Sequence, residues 1–176
     1  GPSAGTVGCP ACAESGLAVA SSNTVERSTN ISLVSYRGES YDAVPGADVI
    51  HTSDLVAEGI AASSIDSGNA DACAPYEAGS FDGAVGIVYR GGETPEGGPC
   101  YFRIKASNLK DAGAVGMLVI NNVPGDAIIM GGLTDTLFPS VMISQTQGAD
   151  LYEDYDDGFE ITLGAFQNIA TRVGTI

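Results

Sequence analysis

Residues 81–122 read as strand, glycine-rich loop, cysteine, helix and strand in one unbroken run, and this constrains the fold more than any other part of the chain. Residues 84–89 and 115–120 are short apolar runs, with the length and composition of strands covered on both faces. Between them Phe102, Lys105, Ala106, Leu109 and Ala112 recur at helical spacing, and Gly113 stands where a helix C-terminus calls for positive φ. The result is a strand–helix–strand unit without obvious catalytic equipment.

The same residues resemble the protease-associated (PA) domain, in which a strand leads through R-G and a cysteine into F-x-x-K, then an A-G-A triplet, a second strand and N-N. Here Gly83, Arg90-Gly91, Cys100, Phe102, Lys105, Ala112-Gly113-Ala114 and Asn121-Asn122 fill those positions. Residues 92–99 form a longer loop than the usual one-residue gap before the cysteine. The resemblance implies an α+β fold, a small β-barrel or two-sheet β core flanked by two or more short helices. It also implies that Cys73 and Cys100 pair. A closed loop of about 28 residues would then stabilise the fold by roughly 3–4 kcal/mol in the chain-entropy model.

Composition narrows the function classes. The 176 residues are 44% hydrophobic, enough for one well-buried core, and no run of about 18 apolar residues exists to span a membrane. Twenty-two acidic residues against seven basic ones give a formal charge of −15, which repels nucleic-acid phosphates and anionic lipid surfaces, so neither is expected as a partner. Four cysteines in an acidic chain suit a secreted protein with disulfides. A zinc site made of all four cysteines would require the two pairs to meet in space. No cofactor is expected. Gly1-Pro2 has the form of a tag-cleavage scar, and with no signal peptide the chain reads as an excised piece of a larger protein.

Residues 1–30 differ in texture. Cys9-Pro10-Ala11 followed by Leu17-Ala18-Val19-Ala20-Ser21 resembles the segment of subtilisin-like serine proteases that follows the oxyanion-hole asparagine, with Cys9 in the usual serine position. In that family PA domains are commonly inserted after this segment. The expected organisation is therefore a lead-in over 1–30, the PA domain over 31–165, and a tail or return to the host over 166–176. Within the domain one or two strands are expected over 25–44, short strands at 49–50 and 55–56, and loop up to Ala72. A long exposed connection with a hydrophobic tip at Ile128, Ile129 and Met130 is expected over 121–138. A buried strand at 139–144, a helix at 145–155 with Leu151 inward and a closing strand at 159–163 complete the reading.

The chemical constellations favour structural roles. Asp66-Ser67-Gly68 mimics the D-[ST]-G element of a subtilase triad, but residues 61–65 are small and polar where that aspartate ends a buried strand. His51 is the sole histidine, in a loop-like stretch, and no G-x-S-x-G element accompanies it. Cys9 and Cys12 form a C-x-x-C without the preceding strand of a thioredoxin-type site, so a small structural disulfide is the expectation. An acidic cluster near Asp154, Asp156 and Asp157 reads as a solvated helix end, with a weak cation site as the alternative. Asn30-Ile31-Ser32 is an N-glycosylation sequon.

The resemblance implies a non-catalytic protein-interaction module of a secreted subtilisin-like protease. Its partners would be protein or peptide substrates of the parent and the parent's own catalytic domain. Gly91 and Gly92 on one loop, and Asn121, Asn122, Ile128, Ile129 and Met130 on the other, are the expected contact residues, because loops on a rigid scaffold carry binding. The alternatives are a receptor-type extracellular PA domain binding peptide ligands, and an autonomous hydrolase using His51.

Overall fold

The computed structural model describes residues 26–153 and 159–172, and for residues 26–33, 153 and 167–172 the backbone alone. Contacts divide the chain into two compact units, Thr29–Ile169 and a second made of Gly1–Ser28 with Ala170–Ile176. What is described of the second is strand backbone at 26–28 and 170–172.

The described residues form eight strands: β1 (Glu26–Tyr36), β2 (Glu39–Pro45), β3 (Leu55–Ala61), β4 (Val85–Tyr89), β5 (Gly116–Ile120), β6 (Ser140–Ile143), β7 (Phe159–Leu163) and β8 (Gln167–Arg172). Their order is β2-β6-β5-β4-β3-β7-β1-β8, and β1 also pairs with β2. That pairing closes the first seven strands into a barrel, the first of the two expected β architectures. The closing contact is a hairpin. Arg37 and Gly38 both take positive φ, the backbone of a two-residue turn whose twist matches its strands. β3, β4, β5 and β6 run parallel to one another, so their C-terminal ends share one end of the barrel.

Alternation along the buried strands divides the core in two. Val85 and Ile87 of β4, Leu118 and Ile120 of β5, and Val141 and Ile143 of β6 pack in one cluster with Val34, Phe159, Ile161 and Leu163. Val88, Met117, Val119 and Met142, on the opposite faces of the same strands, pack in the other cluster with Ala106 and Leu109 of helix α2 (Phe102–Asp111) and with its C-cap Ala112. This explains why β4 and β5 lack polar alternation: both faces are covered. Gly86 is required for the approach of α2, since a Cβ there would lie 2.5 Å from Leu109 Cδ2. The helix ends as expected at Gly113, whose N–H bonds Lys110 O while Ala114 N–H bonds Leu109 O, a Schellman arrangement. Helix α3 (Gln145–Glu153) starts on a reciprocal capping box: Ser144 N–H donates to Gln147 Oε1, and Gln147 N–H donates to Ser144 Oγ. Leu151 points inward and is fully buried.

Two expectations need correction. Residues 49–50 are not a strand: Ile50 N–H makes a bond to Thr136 O, and β3 instead runs from Leu55 through Ala61. The stretch read as loop up to Ala72 holds a short helix, α1 (Ala62–Ile65), and a 3₁₀ turn at Ser67–Asn69. Cys9, Cys12, Asp154, Asp156 and Asp157 lie outside the described residues, as does the side chain of Asn30.

Candidate functional site

The shared end of the parallel strands gathers Gly91, Gly92, Asn121 and Asn122, where the two long loops begin. Arg90 leaves β4 with its N–H on Ile120 O, and its Nη1 donates to Asn121 Oδ1 at 2.9 Å. Asn121 in turn donates through Nδ2 to Asp126 O at 2.9 Å, and its own N–H bonds Ile143 O. This asparagine is buried. It therefore positions the loop after β5, while exposed Asn122 is left on the surface. Gly91 lies directly beneath Asn122: a Cβ on Gly91 would sit 2.6 Å from Asn122 Nδ2, and its φ of 90° suits glycine.

A cleft of about 370 Å³ opens here, lined by Tyr89, Ile120, Asn121, Asn122, Gln145 and Ala149. Tyr89 stacks on Tyr152 with centroids 5.5 Å apart. A second cleft of about 380 Å³, lined by Asp42, Ala43, Val44, Asp126, Ala127, Ser144 and Gln147, lies on the other side of the 121–127 segment. The first offers amide donors and acceptors beside an aromatic wall, with Tyr89 as the ionisable side chain of its lining. Such a surface can hydrogen-bond and stack.

The hydrophobic tip differs from expectation. Ile128 and Ile129 are exposed, Ile129 at 66%, but Met130 is wholly buried in the α2-side cluster. The chain turns back there because Met130 O accepts Ala47 N–H, which draws the side chain under the loop with Leu133 and Phe138. Leu137, not singled out from the sequence, is the most exposed large apolar residue described, at 76%.

Beside this end lies a polar knot of which sequence reading marked Gly91 and Gly92 as contact residues but not Asp71 or Lys105. Cys73 and Cys100 form a disulfide with Cα atoms 5.6 Å apart, as the resemblance implied. Lys105, fully buried on the inner face of α2, donates to Asp71 O at 2.5 Å, to Gly91 O at 2.6 Å and to Cys73 Sγ at 3.3 Å. Burial lowers its pKa to about 8, against the opposing pull of Asp71. Gly92 fits between these groups only as glycine, for a Cβ would fall 1.8 Å from Asp71 Oδ2 and 2.6 Å from Cys73 Sγ. Tyr76 packs edge-on to Phe81 and donates to Asn69 O. Burial, then the charges of Asp71 and Asp66, push its phenol pKa upward. The signal for Lys105 was a lysine at an apolar helix position, four residues before Leu109.

The residues considered for catalysis lie apart. His51 sits at the opposite end of the barrel, before β3, with Nε2 3.2 Å from Leu163 O and its ring 5.2 Å from that of Phe166. Phe166 N–H bonds His51 O, so the histidine ties its loop to the chain after β7. Asp66 caps the 3₁₀ turn by accepting Gly68 N–H at 2.9 Å. Among the described residues no group of three or more His, Cys, Asp or Glu is placed to hold a metal ion. Among them, too, no helix is long and apolar enough to cross a membrane.

The PA domain family model matches residues 51–151. In sequence, a 57-residue stretch covering 32% of the chain is 44% identical to leucine aminopeptidase 2 of Arthroderma otae, of which it covers 12%. In structure, the fold is similar to part of a zinc aminopeptidase from Bacillus subtilis, with a TM-score of 0.57 and 18% identity over 80% of this chain and 31% of that one. It is also similar to part of the psychrophilic subtilisin-like protease Apa1 from the Antarctic psychrotroph Pseudoalteromonas sp. AS-11, with a TM-score of 0.53 and 16% identity over 81% of this chain and 35% of that one. The chain thus spans about a third of these solved structures and a smaller part of the curated relative.

Proposed function

The chain belongs to the PA domain family, and from that premise we propose that it is a non-catalytic protein-interaction module of a secreted peptidase, contributing to substrate recognition or to active-site access in the larger enzyme. One observation carries the reading: the barrel end where β4 and β5 finish presents Tyr89, Asn122 and Gln145 around a cleft, while the sole histidine is engaged at the other end. A surface of amides, tyrosine and aliphatic side chains suits an extended peptide or a protein loop.

We assign the parent to the subtilisin-like serine proteases because of the lead-in from Cys9 to Ser21. The fold likeness to the subtilisin-like protease from Pseudoalteromonas is compatible with that assignment. An aminopeptidase parent is the second reading, favoured by the identity shared with the Arthroderma leucine aminopeptidase.

Two measurements test the module. The isolated chain, incubated with casein and chromogenic peptides, is expected to give no turnover, and turnover that disappears in His51→Ala overturns the non-catalytic reading. In the full-length peptidase, Ile128→Ser with Ile129→Ser is expected to alter cleavage of large proteins several-fold more than cleavage of short peptides. Equal effects on both substrate classes sink the contact role of this loop.

A further inference from the structure

We propose that the Cys73–Cys100 bridge is a site of directional thiol exchange: a small thiol attacks Cys100, and Cys73 departs as a thiolate held by the Lys105 ammonium. The two sulfurs have unlike surroundings. Cys73 Sγ lies 3.3 Å from Lys105 Nζ, on a fully buried ammonium whose other two donors are already used by Asp71 O and Gly91 O. Among the described residues no charged group is hydrogen-bonded to Cys100 Sγ. A neighbouring cation stabilises a thiolate, and in disulfide exchange the sulfur with the more stable thiolate is the better leaving group. The Asp71 carboxylate, whose Oδ1 accepts Cys73 N–H at 3.3 Å, acts against the thiolate. Lys105 opposes it from α2, in direct contact with the sulfur.

The step balances without an outside oxidant or reductant other than the thiol. The incoming thiolate sulfur bonds to Cys100 Sγ as the Cys100–Cys73 bond breaks, and the bonding pair leaves on Cys73 Sγ. The product is a mixed disulfide at Cys100 and an ion pair between Cys73 and Lys105. Position fixes what exchange would release. Cys100 lies two residues before α2 with its N–H on Gly92 O, whereas Cys73 stays tied through Lys105 to α2 and to Gly91. Exchange would thus remove the covalent tie between the segment of Cys73 and the base of the 92–99 loop.

Peptide mapping reads the direction. The native, oxidised chain is incubated with glutathione, free thiols are trapped with N-ethylmaleimide, and tryptic peptides are sequenced by mass spectrometry. Cleavage after Arg37, Arg90 and Arg103 puts Cys73 in the peptide 38–90 and Cys100 in the peptide 91–103, both separate from Cys9 and Cys12. Glutathione is expected on 91–103 and maleimide on 38–90, with a preference of about tenfold, as a stabilised leaving thiolate implies. In Lys105→Met the preference is expected to fall to near parity. Glutathione on 38–90, an equal split in the wild-type chain, or no adduct on either peptide under native conditions overturns the proposal. The wild-type ratio decides by itself, so a Lys105→Met chain that does not fold leaves the test intact. A purely structural lysine would change stability but not the direction of exchange.

Discussion

The two long loops that follow β4 and β5 leave the same end of the barrel, yet they are held by different physics. The 92–99 loop is anchored covalently at Cys100 and by a buried ammonium at Gly91 O. It contributes almost nothing to either core cluster. The 121–138 loop has no covalent tie. It is held by the Asn121 latch, by Ala47 N–H on Met130 O and Ile50 N–H on Thr136 O, and by burial of Met130, Leu133 and Phe138. A Lys110–Asp135 ion pair adds a surface contact, which also holds the Asp135 carboxyl below its usual range. A glycine-rich segment without apolar residues needs a crosslink to be ordered, whereas one with three buried side chains supplies its own anchor.

The comparison predicts which removals hurt. Replacing Cys73 and Cys100 together by Ser is expected to lower the unfolding free energy by roughly 3–4 kcal/mol, measured by denaturant titration. A loss below about 1 kcal/mol would break the contrast, because the loop would then be held by Lys105 and its own turn. In the other loop Met130→Ala is expected to cost about 2–3 kcal/mol, as a buried methionine should. Adjacent Ile129→Ala should stay within about 0.5 kcal/mol, as for an exposed site. Equal costs for the two would show that the loop is not anchored through Met130.

The smallest effect is in pH. The folded pKa of Lys105, about 8, lies below its ordinary value, so above pH 8 the unfolded chain binds more protons and stability rises with pH. A gain on the order of 1 kcal/mol by about pH 9.5 is expected, absent in Lys105→Met. The neutral amine still has two protons for Asp71 O and Gly91 O, which is why the knot survives deprotonation. Tyr76 acts in the opposite sense: its raised pKa withdraws stability once free tyrosine begins to ionise, near pH 10. A flat profile between pH 8 and 9.5 would mean that Lys105 is solvated.

Local periodicity made β4, α2, β5, β6, α3 and β7 legible in the sequence, because each buries a face whose spacing the residues carry. Ring closure was less so: the β1–β2 hairpin could be read from Arg37-Gly38, but nothing local says that β2 also pairs with β6. Met130 shows the limit most clearly. Ile128, Ile129 and Met130 are alike as side chains, and the one that turns inward is the one whose carbonyl meets the distant Ala47 N–H and whose side chain joins the α2-side cluster. At the candidate site, Gly91, Asn121 and Asn122 were marked by their motif and Gly92 by its loop. The division between a latching Asn121 and an exposed Asn122 was not, since it depends on Asp126 O and Arg90 across the loop.

The 92–99 loop also has a consequence for engineering. Glu93 and Pro99 bridge in antiparallel fashion, Thr94 N–H bonds Gly98 O, and Cys100 N–H bonds Gly92 O, so the segment closes on itself before it reaches the disulfide. Its tip, between Thr94 and Gly98, is mechanically insulated from the barrel register. A foreign epitope grafted there would meet a base already clamped shut, and each doubling of the insert's length would add only about 0.6 kcal/mol of closure entropy. The module is in this sense a display scaffold, with its clamp built in and its payload site separate from the wall of strands that carries it.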